Sequence, residues 1–148
     1  MKHPSNREFF AYWDQKRGDG RAPDRTDIEP GAVRGLLGDI FVLSYDASAG
    51  YPFRVAGTRV CALLGADLKD KSFSGLFEPG SRRDIEEIIA AVAEETLAAV
   101  AGVTAATSGG PQARRGFAAG SKLAFLDAPS RSRGSKRGAL VAAREGER

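Results

Sequence analysis

Phe53-Arg54-Val55-Ala56-Gly57-Thr58-Arg59-Val60-Cys61-Ala62-Leu63-Leu64-Gly65 changes its period midway, and the fold turns on that change. From Phe53 to Gly57, apolar residues alternate with polar or small ones, the period of two expected of a strand. From Thr58 onward, Val60, Leu63 and Leu64 fall on one side of a helical repeat. Thr58 offers a hydroxyl to cap that helix, and Gly65 can adopt the left-handed conformation that stops it. A short strand therefore runs straight into a short helix.

Upstream, Ile40-Phe41-Val42-Leu43-Ser44-Tyr45 is rich in β-branched and aromatic residues and short enough for a strand. Residues 46–52 between the two strands hold Asp, Ser, Gly and Pro, so an antiparallel hairpin is expected. Residues 31–37 suit a short helix with Val33, Leu36 and Leu37 apolar, and residues 21–30 read as a polar, proline-punctuated connector. The first element is an aromatic helix. Ser5 and Glu8 have capping-box spacing, Phe9, Tyr12, Trp13 and Lys16 recur at helical period, and Gly18-Asp19-Gly20 ends the run.

Downstream, Phe73, Leu76 and Phe77 lie on a short helical or irregular segment that Pro79-Gly80 closes. Ser81 and Asp84 have the spacing of an N-terminal cap. Ile85, Ile88, Ile89, Val92, Ala93 and Leu97 then repeat at helical period, with Glu86, Glu87, Glu94 and Glu95 opposite, which predicts an amphipathic helix over about 81–97. Residues 100–107 read as a third strand. After Ser108-Gly109-Gly110 the character changes. Residues 111–148 are dominated by Arg, Lys, Gly, Ser and Ala around one apolar cluster, Leu123 to Leu126, and this composition predicts disorder. The organisation expected is a domain over 5–107 and a basic, atypical tail over 108–148.

The 148 residues suffice for one domain with a core of its own. The formal net charge of +3 averages two unlike parts. Residues 1–110 carry 13 Lys/Arg against 16 Asp/Glu, a net of −3, whereas residues 111–148 carry 9 against 3, a net of +6. Any pull on nucleic acid therefore belongs to the tail. No apolar run approaches the ~20 residues of a membrane span, and the charged, aromatic start lacks a signal peptide's apolar segment, so a cytoplasmic protein is expected.

Catalytic chemistry finds little to work with. His3 is the lone histidine and sits at a terminus, a poor place for a positioned base. Cys61 falls among apolar helix residues, the setting of an inert thiol, and one Cys with one His makes neither a disulfide nor a zinc site. Gly120-Ser121-Lys122 and Gly134-Ser135-Lys136 lack the rest of a phosphate-binding loop, and Gly18 and Gly20 follow no strand. No enzyme is expected, and no metal.

The stretch from Phe53 to Gly65, taken with residues 24–30 and with Leu36-Leu37-Gly38-Asp39-Ile40-Phe41, resembles a bacterial, alphaproteobacterial-type family of stand-alone PAS domains. Its pattern there is roughly Phe-Arg-x-Ala-Gly-Thr-x-hydrophobic followed by Cys or an aliphatic residue, then Gly and an acidic loop. Residues 68–77 and the helix after Pro79 also fit, and the resemblance covers about 5–107. It implies an α+β fold, an antiparallel sheet of about five strands with helices on one face. It also implies a sensory or interaction role without chemistry, and no cofactor residue comes with it. The sequence departs from the family after the third strand, where Gln112-Ala113-Arg114-Arg115-Gly116-Phe117 replaces a leucine-rich strand as if the terminus were replaced or read in another frame. The sheet is therefore expected to be incomplete at its C-terminal strands, unless Leu123 to Leu126 supply a makeshift one.

The leading functional expectation is a non-enzymatic, PAS-like sensory or signalling module that binds a small ligand or a protein partner. A pocket between sheet and helices would be lined by Phe41, Phe53, Val55, Val60, Leu64, Phe77 and Ile89, residues that could equally pack a solid core. Phe9, Tyr12 and Trp13, with Phe10, concentrate aromatic surface on the first helix and suggest self-association there. The alternatives are a compromised domain without retained function, or a nucleic-acid-associated protein. The latter would use Arg114, Arg115, Lys122, Arg131, Arg133, Lys136 and Arg137 against phosphates. With only Phe117 and Phe125 to stack on bases, nucleic acid is the less favoured partner.

Overall fold

The computed structural model describes residues 4–95, 98–103, 121–128 and 138–143. Helix α1 (Pro4–Arg17) leads through the connector and a 3-10 helix (Arg34–Asp39) to strands β1 (Ile40–Ser44) and β2 (Phe53–Ala56). Helix α2 (Thr58–Leu64), a 3-10 turn (Ser74–Leu76) and helix α3 (Pro79–Glu95) follow, then strands β3 (Ala98–Val103), β4 (Ser121–Ala128) and β5 (Gly138–Ala143). The strands form one antiparallel sheet in the order β2-β1-β5-β4-β3.

Strand β1 shows why its sequence is apolar without interruption. Successive side chains of a strand point to opposite faces, and here both faces are covered. Phe41 and Leu43 enter a core with Tyr51, Phe53, Val60, Leu68, Phe73, Ile85, Ile89 and Val92. Ile40 and Val42 enter a second core with Phe9, Trp13, Val33 and Leu36. Burying each large side chain contributes about 1.5–3 kcal/mol, so β1 is anchored from two sides.

Helix α1 closes the second core and is tied to the connector. The Tyr12 hydroxyl accepts from the Glu29 N–H (2.8 Å) and donates to the Asp27 carbonyl (3.3 Å). Lys16 Nζ lies 2.9 Å from Glu29 Oε1, and this hydrogen bond raises the lysine's pKa. Arg17 lies over the Trp13 ring at 5.7 Å and pairs with Asp14 at 2.6 Å.

The antiparallel α+β architecture is the one implied by sequence, and several particulars differ. Helices occupy both faces of the sheet, because α1 folds back beneath it while α3 lies over the other side. The sheet is not cut short. Strand β4 contains Leu123 to Leu126 within eight residues, and β5 inserts between β1 and β4. The sheet thus draws on residues beyond 107. Strand β3 begins at Ala98, earlier than the expected residue 100, residues 104–107 lie outside the described residues, and α3 begins at Pro79. Helix α2 is capped from Gly57 and not by the Thr58 side chain, while α1 starts at Pro4 and takes Ser5 into its first turn. Of the tail residues named against phosphates and bases, Lys122 and Phe125 fall on β4, and the others lie outside the described residues. His3 and Leu97 lie outside them too.

Candidate functional site

The sheet's inner face and the helical layer meet in an aromatic cluster. Phe41 comes from β1, Phe53 from β2, and Phe73 and Phe77 from either side of the Ser74–Leu76 turn. The ring centroids of Phe41 and Phe53 are 5.3 Å apart, those of Phe41 and Phe73 also 5.3 Å. Phe73 meets Phe53 edge-on at 5.5 Å and Phe77 edge-on at 5.2 Å. These are the separations at which edge and face of neighbouring quadrupoles attract. Val60 of α2 and Ile85, Ile89 and Val92 of α3 complete the layer, with Leu64 and Phe77 packed at its margin.

Six of the seven residues expected to line this region therefore converge: Phe41, Phe53, Val60, Leu64, Phe77 and Ile89. Val55 does not. It is 54% exposed and pairs with Val42, whose side chain belongs to the opposite core. A bulge is responsible. Between Val42 and Leu43 the register passes from Val55 to Phe53, so two steps on β2 oppose one on β1. The extra residue re-phases the strand, and positions 53 and 55 end on opposite faces.

Reading by pattern missed Tyr51 and Phe73. Phe73 carries a helical-spacing signal with Phe77 that could have nominated it. Tyr51 is concealed in the hairpin connection, where it takes a left-handed φ of 54° and is nevertheless buried. Its ring packs at 5.8 Å from Tyr45, whose hydroxyl donates to Glu94 Oε1 at 2.6 Å. The hairpin connection is thereby joined to the end of α3. Burial, and then the carboxylates of Glu86 and Glu94, raise the Tyr51 pKa above 10.0.

The sequence motif around Gly57 is accounted for by packing. Arg59 forms a two-pronged pair with buried Asp39, Nε to Oδ1 at 2.8 Å and Nη2 to Oδ2 at 2.7 Å, and also donates to the Gly35 carbonyl at 3.1 Å. The Asp39 hydrogen bonds hold the guanidinium pKa above its ordinary value. The Gly57 N–H donates to the Ile40 carbonyl at 2.8 Å, which presses position 57 against the backbone of Leu37 and Gly38. These contacts fasten α2 to the segment before β1.

Cys61 is half-buried, with its sulfur 4.0 Å from the Ala56 carbonyl oxygen. Among the described residues, no three His, Cys, Asp or Glu side chains form a group that could hold a metal, and no helix is long and apolar enough to cross a membrane. Phe9 and Trp13 are buried in their own chain and Tyr12 is half-buried against the connector. Of the aromatic residues on this helix, Phe9 and Trp13 pack within their own chain, while Phe10 and Tyr12 remain half-buried.

An antiparallel sheet with helices over an apolar interior places the molecule in the α+β class. The family model for the PAS domain matches residues 1–116, and the chain belongs to the PAS domain family, whose members are in general sensory or signalling modules. No curated protein and no solved structure matches the chain.

Proposed function

We propose that this PAS domain is a non-enzymatic signalling module that works by contact with a protein partner instead of by enclosing a small ligand. The observation that supports this reading is the closure of the aromatic cluster. Phe41, Phe53 and Phe73 are almost wholly buried and each packs ring against ring, so among the described residues the space between β1, β2 and the helices is filled by the chain's own side chains. Small-molecule sites are concave and largely formed in advance, and opening this one would separate four interlocked rings. A surface contact needs no such rearrangement.

Native mass spectrometry of the full chain as purified tests the reading. The mass of the bare polypeptide, alone or in multiples, is the expected result. A small molecule retained at one equivalent per chain would overturn it.

A further inference from the structure

Two carboxylates on α3 stand by a buried phenol that lacks a hydrogen-bond partner among the described residues. Glu86, Ala90 and Glu94 recur every four residues on one face of the helix, about 12 Å from first to last, and Ala90 puts only a methyl group between the two acids. Tyr51 shares its core with Ile85 and Ile89 of this helix, is 3% exposed, and its hydroxyl feels both carboxylates. A phenol buried this far ordinarily finds a partner, and none of the described residues supplies one. Glu86 is half-buried and holds no cation among the described residues. The two arginines one turn before it are engaged elsewhere, Arg82 Nε with the Phe77 carbonyl and Arg83 Nε with Glu87 Oε1, both at 2.9 Å. Glu94 spends Oε1 on the Tyr45 hydroxyl at 2.6 Å. Asp14, Glu29, Asp39 and Glu87, by contrast, each meet a Lys or Arg nitrogen within 2.9 Å.

We propose that Tyr51, Glu86 and Glu94, with the Tyr45 ring beside them, form a binding site for a guanidinium group. The three polar groups offer acceptor oxygens with two negative charges and no bound donor but the Tyr45 hydroxyl. A guanidinium answers with five N–H donors in one plane, always charged, and it stacks on aromatic faces such as that of half-buried Tyr45, whose ring lies 5.8 Å from Tyr51. An ammonium is a compact, strongly hydrated point charge and stacks less well. The group has two possible sources. One is an arginine of another molecule. The other is the chain's own Arg131, Arg133 or Arg137, in a nine-residue segment, 129–137, with four basic residues and no acidic one. Ala128 and Gly138, which bound that segment, pair with each other, and Gly138 pairs with Ser44, the residue before Tyr45.

The test titrates the full chain with N-acetylarginine amide and follows ring-labelled tyrosines by NMR, with Tyr12 as the internal control. It is run on the wild type and on a variant carrying Arg131→Gln, Arg133→Gln, Lys136→Gln and Arg137→Gln. The expected result is a saturable shift of the Tyr45 and Tyr51 signals, at least about tenfold weaker for N-acetyllysine amide and in Glu86→Gln/Glu94→Gln. Binding by the wild type assigns the site to an arginine of another molecule, and binding only by the neutralised variant assigns it to the chain's own segment. No saturable shift in either protein overturns the proposal, as does equal binding of the lysine compound or equal binding by a folded Glu86→Gln/Glu94→Gln variant. Should the neutralised variant not fold, Arg131→Gln, Arg133→Gln and Arg137→Gln are made singly. Either the wild type then binds, or one of the three moves the Tyr51 signals, and failure of both overturns the proposal.

Discussion

A methyl group added at position 57 would be pressed onto the carbonyl oxygens of Leu37 and Gly38, which are backbone atoms and cannot swing aside. The glycine is needed here for close approach and not for an unusual φ, since its own is −65°. Gly57→Ala is expected to cost about 1–3 kcal/mol, the range for overfilling a packed site, measured by urea unfolding. Tyr51 makes a pH-dependent contribution. Its folded pKa is raised by burial and by Glu86 and Glu94, so above pH 10 the unfolded chain releases the phenolic proton first. The stabilisation from the neutral phenol is whole below pH 10 and is lost as pH rises through the folded value. Urea midpoints should therefore fall above pH 10, and Tyr51→Phe should flatten that fall. An unchanged slope in the variant would show that other groups cause it.

Along β2 the exposed and buried residues cannot be told apart by alternation, and substitution should expose the difference. Phe53→Ala is expected to destabilise by about 3–5 kcal/mol, as for a fully buried ring. Val55→Thr should stay within about 0.5 kcal/mol of wild type, as at an open surface position. Equal costs in thermal unfolding would place both side chains in one core, contrary to the bulge. The elements themselves were legible where period and composition agree: the apolar run of β1, the helical repeat in α3, the polar turn between β1 and β2. The bulge was not, because an inserted residue leaves the composition of a strand unchanged and alters only its phase. The placement of α1 was half legible. Phe9 and Trp13 announced a face to be buried, but Ile40 and Val42, the residues that bury it, are distant in sequence and look like any core strand. In the candidate site, Phe41, Phe53 and Ile89 followed from apolar pattern, while Tyr51 was hidden by a turn whose other residues are polar or small. Strands β4 and β5 were obscured by the Arg, Lys and Gly around them, although Leu123 to Leu126 marked where one of them would fall.

In the whole molecule the strand order sets a dependence that no single contact reveals. Strand β5 lies between β1 and β4, so within the sheet the hydrogen-bonded ladder connects the β1–β2 pair to the β3–β4 pair through it. Removing residues 138–148 should abolish the cooperative thermal transition and expose apolar surface to a hydrophobic dye. A truncated chain that melts cooperatively within a few degrees of wild type would show that the halves hold together by their helices alone. Strand β5 is also the last of the described strands to be made, and this sets a schedule for synthesis. When β1 and β2 leave the ribosome, the strand that will complete their sheet is still roughly ninety residues from being translated. At roughly 5–20 residues per second, Phe41 and Leu43 wait on the order of ten seconds for the strand that pairs with theirs. During that interval the nascent chain displays an open β1 edge, and the risk of pairing with the wrong strand is concentrated there. For this protein, translation speed over residues 57–143 is therefore part of how the fold is reached.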